Sequence, residues 1–189
     1  MSSVTLYIIR HAEEIEGLRG GWSSTVLSRS GTEKSKELAR FFKDNQKQFN
    51  IKKIFSSDIK RAILTATEIS NLLNLPIYEK ENFREVNNGA LAGMRNEDAE
   101  KEYPGLYWKK LGWDETYPEG ESPKMFFERI SQEWKIFSEQ VKKSGENTIL
   151  VTHGGVIQII LSIITGRPYS NKKIMFPVSN CDIIKIEFM

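Results

Sequence analysis

The chain contains 189 residues, 39% of them hydrophobic and 28% charged, a composition typical of one globular domain and unlike that of a disordered chain. The formal net charge is only +2 and the basic residues are interleaved with acidic ones, which argues against a nucleic-acid or membrane-surface partner. Cys181 is the single cysteine, so an internal disulfide is excluded and a thiolate metal site is disfavoured.

The apolar stretches do not suit a secretion signal or a membrane span. Residues 1–9 are short and are followed at once by Arg10 and a histidine, unlike a signal peptide. The run 156–164 is interrupted by polar residues and falls well short of the roughly 20 residues that a membrane-spanning helix needs. We therefore expect a cytoplasmic protein with no membrane partner.

An alternation of strands and helices begins near the N-terminus. Residues 4–9 form a β-rich apolar run, which predicts a strand buried on both faces that leads directly into Arg10. After a loop rich in glycine and serine, apolar residues at roughly helical spacing within 38–42 predict the first helix. Residues 53–56 predict a second strand, and the helix after it has Asp58 near its N-terminus.

The second half of the chain contains a long irregular segment. Residues 81–123 are aromatic and rich in glycine and proline, and an insertion of this length in a compact domain is typical of a lid or pocket wall. Ser122 and Pro123 suit an N-cap and a first helical position, and the apolar stripe after them predicts a core-facing helix. A buried strand at 148–152, an apolar helix and a strand-like run at 181–188 complete the alternation. With no repeat or linker, this pattern predicts a single layered α/β domain.

The chain has two histidines, His11 and His153, and each directly follows a predicted buried strand. A lone histidine is usually a packed core or surface residue, but two of two at strand ends is hard to attribute to chance. Open α/β sheets bind their ligands at the carboxyl ends of the strands. Neither histidine has the short-spaced partner ligands of a zinc site, so no metal is expected. Covalent or acid–base chemistry by imidazole is the preferred hypothesis.

The residues around both histidines resemble the motifs of the histidine phosphatase superfamily, which includes the cofactor-dependent phosphoglycerate mutases. Six segments are similar to family motifs and occur in the family's order, namely Leu6–Glu13, Gly21–Gly31, Phe55–Ala66, Phe83–Gly93, Pro118–Ser122 and Val151–Gly155. The resemblance implies a phosphoglycerate mutase-like fold, a three-layer α/β/α sandwich with a mostly parallel central sheet. It also implies one histidine phosphatase domain over residues 1–189, with 81–123 as a lid or pocket-wall insertion.

The same resemblance implies a role for each motif residue. His11 would be the nucleophile that carries the phosphoryl group, and the phosphate oxygens would be bound by Arg10, Arg61 and His153. Arginine suits this task because its planar fork donates two parallel hydrogen bonds and stays charged at any working pH. Glu85 would protonate the leaving alkoxide and then activate water, which calls for a pKa raised toward neutrality.

Three residues after the first histidine depart from the family pattern. Ala12 stands where glycine is usual, Glu14 replaces a small hydroxyl residue beside the phosphate, and Gly17 lies where an asparagine is expected. A carboxylate at position 14 repels a phosphate dianion unless it points away or pairs with a cation. Ser23 is a candidate to compensate for these changes, and Glu14 or its neighbour Glu13 is an alternative general acid.

We therefore expect a metal-independent phosphatase without a cofactor, which hydrolyses a small-molecule phosphomonoester through a phosphohistidine on His11. A phosphoglycerate mutase-type phosphotransferase is the nearest alternative, although mutases of the family are usually longer. A phosphohistidine-protein phosphatase and a non-catalytic phosphate-binding module are further alternatives. Four residues are candidates for the substrate pocket, namely Glu14, Ser23, Trp108 and Trp113. Packing within the lid is the competing explanation for the two tryptophans.

Overall fold

The computed structural model describes residues 4–188, so residues 1–3 and 189 of the predicted domain lie outside the described part. Its strands are β1 (Val4–Arg10), β2 (Lys53–Ser56), β3 (Ile77–Glu79), β4 (Thr148–Thr152) and β5 (Ile183–Phe188). Its helices are α1 (Arg29–Asp44), α2 (Gln46–Phe49), α3 (Lys60–Leu73), α4 (Asn96–Glu102), α5 (Pro123–Ser144) and α6 (Gly154–Thr165).

The five strands form one sheet in the order β3-β2-β4-β1-β5. The first four strands of that order run parallel, and β5 pairs antiparallel with β1 at the edge. Parallel neighbours need a crossover connection, and the helices between the strands supply it. The predicted α/β fold with a mostly parallel sheet is confirmed.

Strand β1 shows why the sheet is covered on both faces. Leu6 and Ile8 pack into one hydrophobic cluster with residues of α5 and α6. Tyr7 and Ile9 point the opposite way and pack with residues of α1 and α3. All four side chains are buried, as expected for a strand that alternates between two covered faces. The result is a helix–sheet–helix sandwich.

Local chemistry fixes where the two longest helices begin. The Ser28 hydroxyl caps α1 by accepting a hydrogen bond from Gly31 N at 2.9 Å. The Ser122 hydroxyl caps α5 by accepting from Met125 N at 3.1 Å, with Pro123 in the first turn as predicted. A side chain at an N-cap satisfies one of the amide groups that the first turn leaves without a partner.

The segment 81–123 is less irregular than its sequence suggests. It holds α4, three 3₁₀ turns and a small hydrophobic cluster of its own around Leu91, Leu111 and Tyr117. Helix α4 buries only Ala99, so its sequence has no apolar stripe to predict it. Within residues 4–188, no helix is both long enough and apolar enough to cross a membrane.

Candidate active site

Three polar side chains meet at the carboxyl edge of the central strands. His11 follows β1, Ser57 follows β2 and His153 follows β4, and these strands are hydrogen-bonded neighbours. The backbone ladder continues beyond the strands, because His11 N donates to Thr152 O and Ser57 N donates to Val151 O, both at 2.9 Å. The two imidazole rings lie 5.1 Å apart between centroids. The sheet register therefore brings together the two histidines that are far apart in sequence.

The hydrogen bonds of His11 define which ring nitrogen is available for chemistry. Nδ1 lies 2.7 Å from Ala12 O, an acceptor only, so Nδ1 carries the hydrogen and Nε2 keeps its lone pair. Arg61 Nε donates to that Nε2 at 3.1 Å. The side chain is buried, and burial, followed by the Arg61 charge, lowers the pKa of His11 to about 3. At working pH, His11 is thus a neutral imidazole whose lone pair lies on Nε2.

Arg61 and Arg10 place two cations next to the histidines. Arg61 is buried, and besides His11 it donates to Gly21 O at 2.9 Å and to Ser23 Oγ at 3.4 Å. Arg10 donates through Nη1 to Val178 O at 2.6 Å. Its Nε is buried and has no hydrogen-bond partner among the described residues. A buried N–H without a partner is costly, and an anion bound at this edge of the sheet satisfies it.

His153 is also neutral and partly unpaired. Its Nε2 lies 2.8 Å from Ser57 Oγ, whereas its buried Nδ1 has no partner in residues 4–188. Burial, followed by the Arg61 charge, lowers the pKa of His153 well below its usual value. Arg10, Arg61 and His153 are the residues predicted to bind the phosphate oxygens, and we refer to them together as the cradle.

Glu85 is held beside the cradle by backbone groups. Its Oε2 accepts from Gly155 N at 3.0 Å, in the first turn of α6, and its Oε1 accepts from Val86 N at 3.1 Å. A Cβ at position 155 would overlap Glu85 Oε1, so glycine is required for this approach. The positive end of the helix dipole favours a carboxylate there.

The main chain of Glu85 is fixed by two side chains. Its carbonyl oxygen accepts from Trp22 Nε1 at 2.7 Å and from Arg129 Nη2 at 3.1 Å. The Arg129 guanidinium also donates two hydrogen bonds, of 2.7 and 2.8 Å, to the carboxylate of Glu121. Sequence reasoning missed Arg129, because a single arginine on an amphipathic helix carries no signal that it reaches a loop more than 40 residues away. Trp22 lies in the segment Gly21–Gly31, and the resemblance of that segment to a family motif was the signal in the sequence that pointed to this residue.

The departures near His11 are accommodated in different ways. Ala12 is buried without a positive φ, and its N–H donates to Thr65 Oγ1 at 2.9 Å, so alanine fits where glycine is usual. Gly17 adopts a φ of 86°. Glu14 lies with Oε2 3.6 Å from Arg61 Nε, so this carboxylate points toward the cradle rather than away from it. Ser23 Oγ accepts a hydrogen bond of 3.4 Å from Nη1 of the same guanidinium.

A cavity of about 1050 Å³ opens next to the site and meets it at Arg10, Glu85 and Gly155. Trp108 and Tyr117 form one wall, with their rings stacked at 6.1 Å between centroids. The described residues that line the cavity include five cationic side chains and one acidic side chain, Glu85. The cations are Arg10, Arg19, Lys109, Lys172 and Lys173. A cavity of this size and charge suits a small anionic ligand.

The two tryptophans of the 81–123 segment have different positions. Trp108 lines the cavity, and its role as a wall of the substrate pocket stays a prediction. Trp113 does not belong to the described lining residues; its ring packs against Phe127 at 5.9 Å and Tyr169 at 6.2 Å and is 41% exposed. The ring contacts of Trp113 agree with the packing explanation weighed for both residues. Across residues 4–188, no three His, Cys, Asp or Glu side chains are grouped closely enough to hold a metal ion.

This combination of fold and site is of the histidine phosphatase type. A sequence model of that superfamily (branch 1) matches residues 6–189, and the chain belongs to this family. It is 27% identical to "Phosphoserine phosphatase 1" of Hydrogenobacter thermophilus over 154 residues, which cover 79% of this chain and 71% of that protein. It is 28% identical to "Uncharacterized phosphatase PhoE" of Bacillus subtilis over 162 residues, covering 84% and 76%.

The fold also matches solved structures of the family. The crystal structure of phosphoglycerate mutase from Bacillus anthracis superposes with a TM-score of 0.73 at 26% sequence identity, covering 98% of this chain and 88% of that chain. The relatives thus include both phosphatases and mutases, all at low identity. The predicted membership of the superfamily and the phosphoglycerate mutase-like fold are confirmed.

Proposed function

We propose that this protein is a metal-independent phosphatase that hydrolyses a small-molecule phosphomonoester through a phosphohistidine on His11. Members of the family act on phosphorylated small molecules. The observation that carries the proposal is the state of His11. It is a buried, neutral imidazole whose Nδ1–H is bound to Ala12 O and whose Nε2 faces the Arg61 guanidinium.

The first step is attack of Nε2 on phosphorus. Because the Ala12 carbonyl fixes the tautomer, the lone pair of Nε2 is available and the positive charge that develops on the ring is shared with Nδ1–H. Arg61 Nε must turn from Nε2 to a phosphate oxygen, which keeps the buried cation paired as the P–N bond forms. The unpaired N–H of Arg10 serves a second oxygen, so the phosphoryl charge is neutralised along the path of transfer.

Glu85 supports the proton transfers that accompany both steps. It lines the cavity on the side where the leaving group would lie, and two backbone N–H groups hold its carboxylate in place. In the protonated form it gives its proton to the departing alkoxide, and as a carboxylate it then takes a proton from water that attacks the phosphohistidine. The two displacements regenerate His11 and release inorganic phosphate.

The open cavity favours hydrolysis over transfer within a sugar acid. Lys109, Lys172 and Lys173 line it and are exposed, so water reaches Glu85 through its mouth. A mutase must instead protect its phosphoenzyme from water. The cationic rim and the Trp108 wall further suit a leaving group that carries an additional anionic group next to an apolar or ring-shaped part.

A substrate panel tests this proposal. The purified protein is incubated with EDTA and a set of phosphorylated metabolites, and both free phosphate and rearranged phosphate esters are measured. We expect free phosphate to be released and the release to disappear in His11→Ala. Isomerised esters without net release would identify a mutase. Phosphate binding without turnover of any ester would identify a non-catalytic module, and activity restored only by added metal would refute the proposed chemistry.

A further inference from the structure

The carboxylate of Glu14 is an unusual neighbour for the cradle. Its Oε2 lies 3.6 Å from Arg61 Nε, the same atom that donates to His11 Nε2 at 3.1 Å. This Oε2 is buried and accepts no hydrogen bond from any described residue. The side chain is 28% exposed overall, so one oxygen faces inward while the rest of the group is accessible. A buried carboxylate oxygen without a donor calls for an explanation.

The position of Glu14 is fixed by the backbone. Residue 14 forms an antiparallel bridge with Leu27, and Ile15 N donates to Val26 O at 3.1 Å. A Cβ on Gly20 would lie 3.3 Å from Glu14 Oε1, so the main chain of the following loop packs against the carboxylate. The packing of this loop therefore holds the Glu14 carboxylate next to the cradle.

The charges around Arg61 balance before any substrate binds. Arg10 and Arg61 contribute two positive charges, and Glu14 and Glu85 are the carboxylates whose charges act on Arg61. The other titratable groups beside this arginine are His11, at the end of β1, and His153, at the start of α6, and both are neutral. A phosphate dianion brings two more negative charges to this balanced site, whereas a monoanion brings one.

A phosphate monoanion also has the donor that Glu14 lacks. Its P–OH can donate to Glu14 Oε2, which turns a repulsive contact into a charge-assisted hydrogen bond. A dianion has only acceptor oxygens and meets the carboxylate with repulsion in a poorly solvated site. The second pKa of a phosphate monoester is about 6, so both forms exist near neutral pH.

We propose that Glu14 makes this site selective for the monoanionic form of the phosphate group, by accepting a hydrogen bond from its P–OH. Glu14 is then a specificity-determining residue of the proposed phosphatase. The inference rests on the proposed function in one respect, namely that the bound anion is a phosphate group. Below the second pKa of the phosphate, binding is strong. Above it, binding weakens about tenfold per pH unit, as the monoanion fraction falls.

Direct binding of two anions that are not turned over tests the inference. Calorimetry measures the affinity of methylphosphonate, which has one P–OH as a monoanion and none as a dianion, and of sulfate between pH 5.5 and 8.5 for the wild type, Glu14→Gln and Glu13→Gln. Sulfate stays a dianion over this range and offers no hydroxyl to Glu14. Glu13→Gln is the matched control, since it removes one carboxylate from the same loop, but one that accepts from Ser28 Oγ at 2.8 Å. Thermal melting of each variant confirms folding.

In the wild type, we expect methylphosphonate affinity to fall about tenfold per pH unit above its second ionisation, and sulfate to bind weakly throughout. Glu14→Gln should abolish this pH dependence and strengthen sulfate binding by about tenfold or more, because an amide donates to the dianion that a carboxylate repels. Glu13→Gln should keep the wild-type pattern.

Methylphosphonate binding in the wild type that does not depend on pH, or a Glu14→Gln variant that keeps the wild-type slope, overturns the inference and leaves the proposed function standing. Failure of the wild type to bind methylphosphonate at any pH contradicts the proposed function itself.

Discussion

The two buried histidines predict a loss of stability on mild acidification. In the folded protein, burial and the neighbouring arginines lower the pKa of His11 to about 3 and that of His153 well below its usual value. In the unfolded chain both return to about 6.5. Between these values the unfolded state binds protons that the folded state does not, so the free energy of unfolding decreases as the pH falls below 6.5.

The size of this effect follows from the linkage relation. For one histidine with these two pKa values, lowering the pH from neutral to 5 costs ~2 kcal/mol of unfolding free energy. This is a large share of the ~5–15 kcal/mol that stabilises a typical domain, and His153 adds a loss in the same direction. His11→Gln removes one titrating group and should therefore remove the His11 part of this loss. The loss that exposed carboxylates cause at low pH is common to both proteins and cancels in the comparison.

Urea unfolding followed by tryptophan fluorescence at pH 7.5 and pH 5 measures the four free energies required. We expect the pH-dependent loss in His11→Gln to be ~2 kcal/mol smaller than in the wild type, whatever the variant costs at pH 7.5. An equal loss in both proteins would mean that His11 is protonated or accessible in the folded state. The assignment of a neutral nucleophile would then be wrong.

Three further predictions concern the acid, the cavity wall and the rim. Glu85→Gln should lower kcat/KM, which reports the first displacement, by roughly 10²–10⁴-fold for alkyl phosphates and much less for nitrophenyl phosphate, because the nitrophenolate needs little protonation; an equal loss in kcat/KM would contradict its role as the acid. Trp108→Ala should change the ranking of substrates in kcat/KM, while Trp113→Ala, its control outside the cavity, should not; identical profiles would refute the proposed wall. The pair Lys172→Glu and Lys173→Glu should raise KM mainly for substrates with an anionic leaving group, and a uniform change in KM would contradict a recognition role.

The central sheet could be predicted from the sequence because its strands carry a simple signal. Strand β1 is apolar at successive positions since both of its faces are buried, and β4 has the same property. Strand β3 was missed, because it is three residues long, lies at the sheet edge and buries little. Helix α4 was missed for a similar reason. It has no buried apolar stripe, so its hydrophobic residues show no helical periodicity.

The site could be predicted only in part. The positions of His11 and His153 at strand ends predicted that they lie close together, and the family resemblance pointed to the arginines and Glu85. Contacts between residues that are distant in sequence could not be predicted from a local sequence pattern. Asp58 lies near the start of α3, as predicted, but its carboxylate binds Arg84 in a bidentate pair and α3 begins without a side-chain cap. The inward direction of Glu14 likewise depends on how its loop packs, which no spacing of residues encodes.

Trapping the phosphoenzyme tests the central claim most directly. Glu85→Gln should slow the attack of water on the intermediate, so the variant is mixed with nitrophenyl phosphate and denatured during turnover. Mass spectrometry then maps the attached phosphate. The account predicts a single modification on His11 that survives alkali and is lost in acid, and its absence in Glu85→Gln/His11→Ala. Phosphate found on a serine, a carboxylate or His153, or release of nitrophenol with no phosphoenzyme at all, would contradict it.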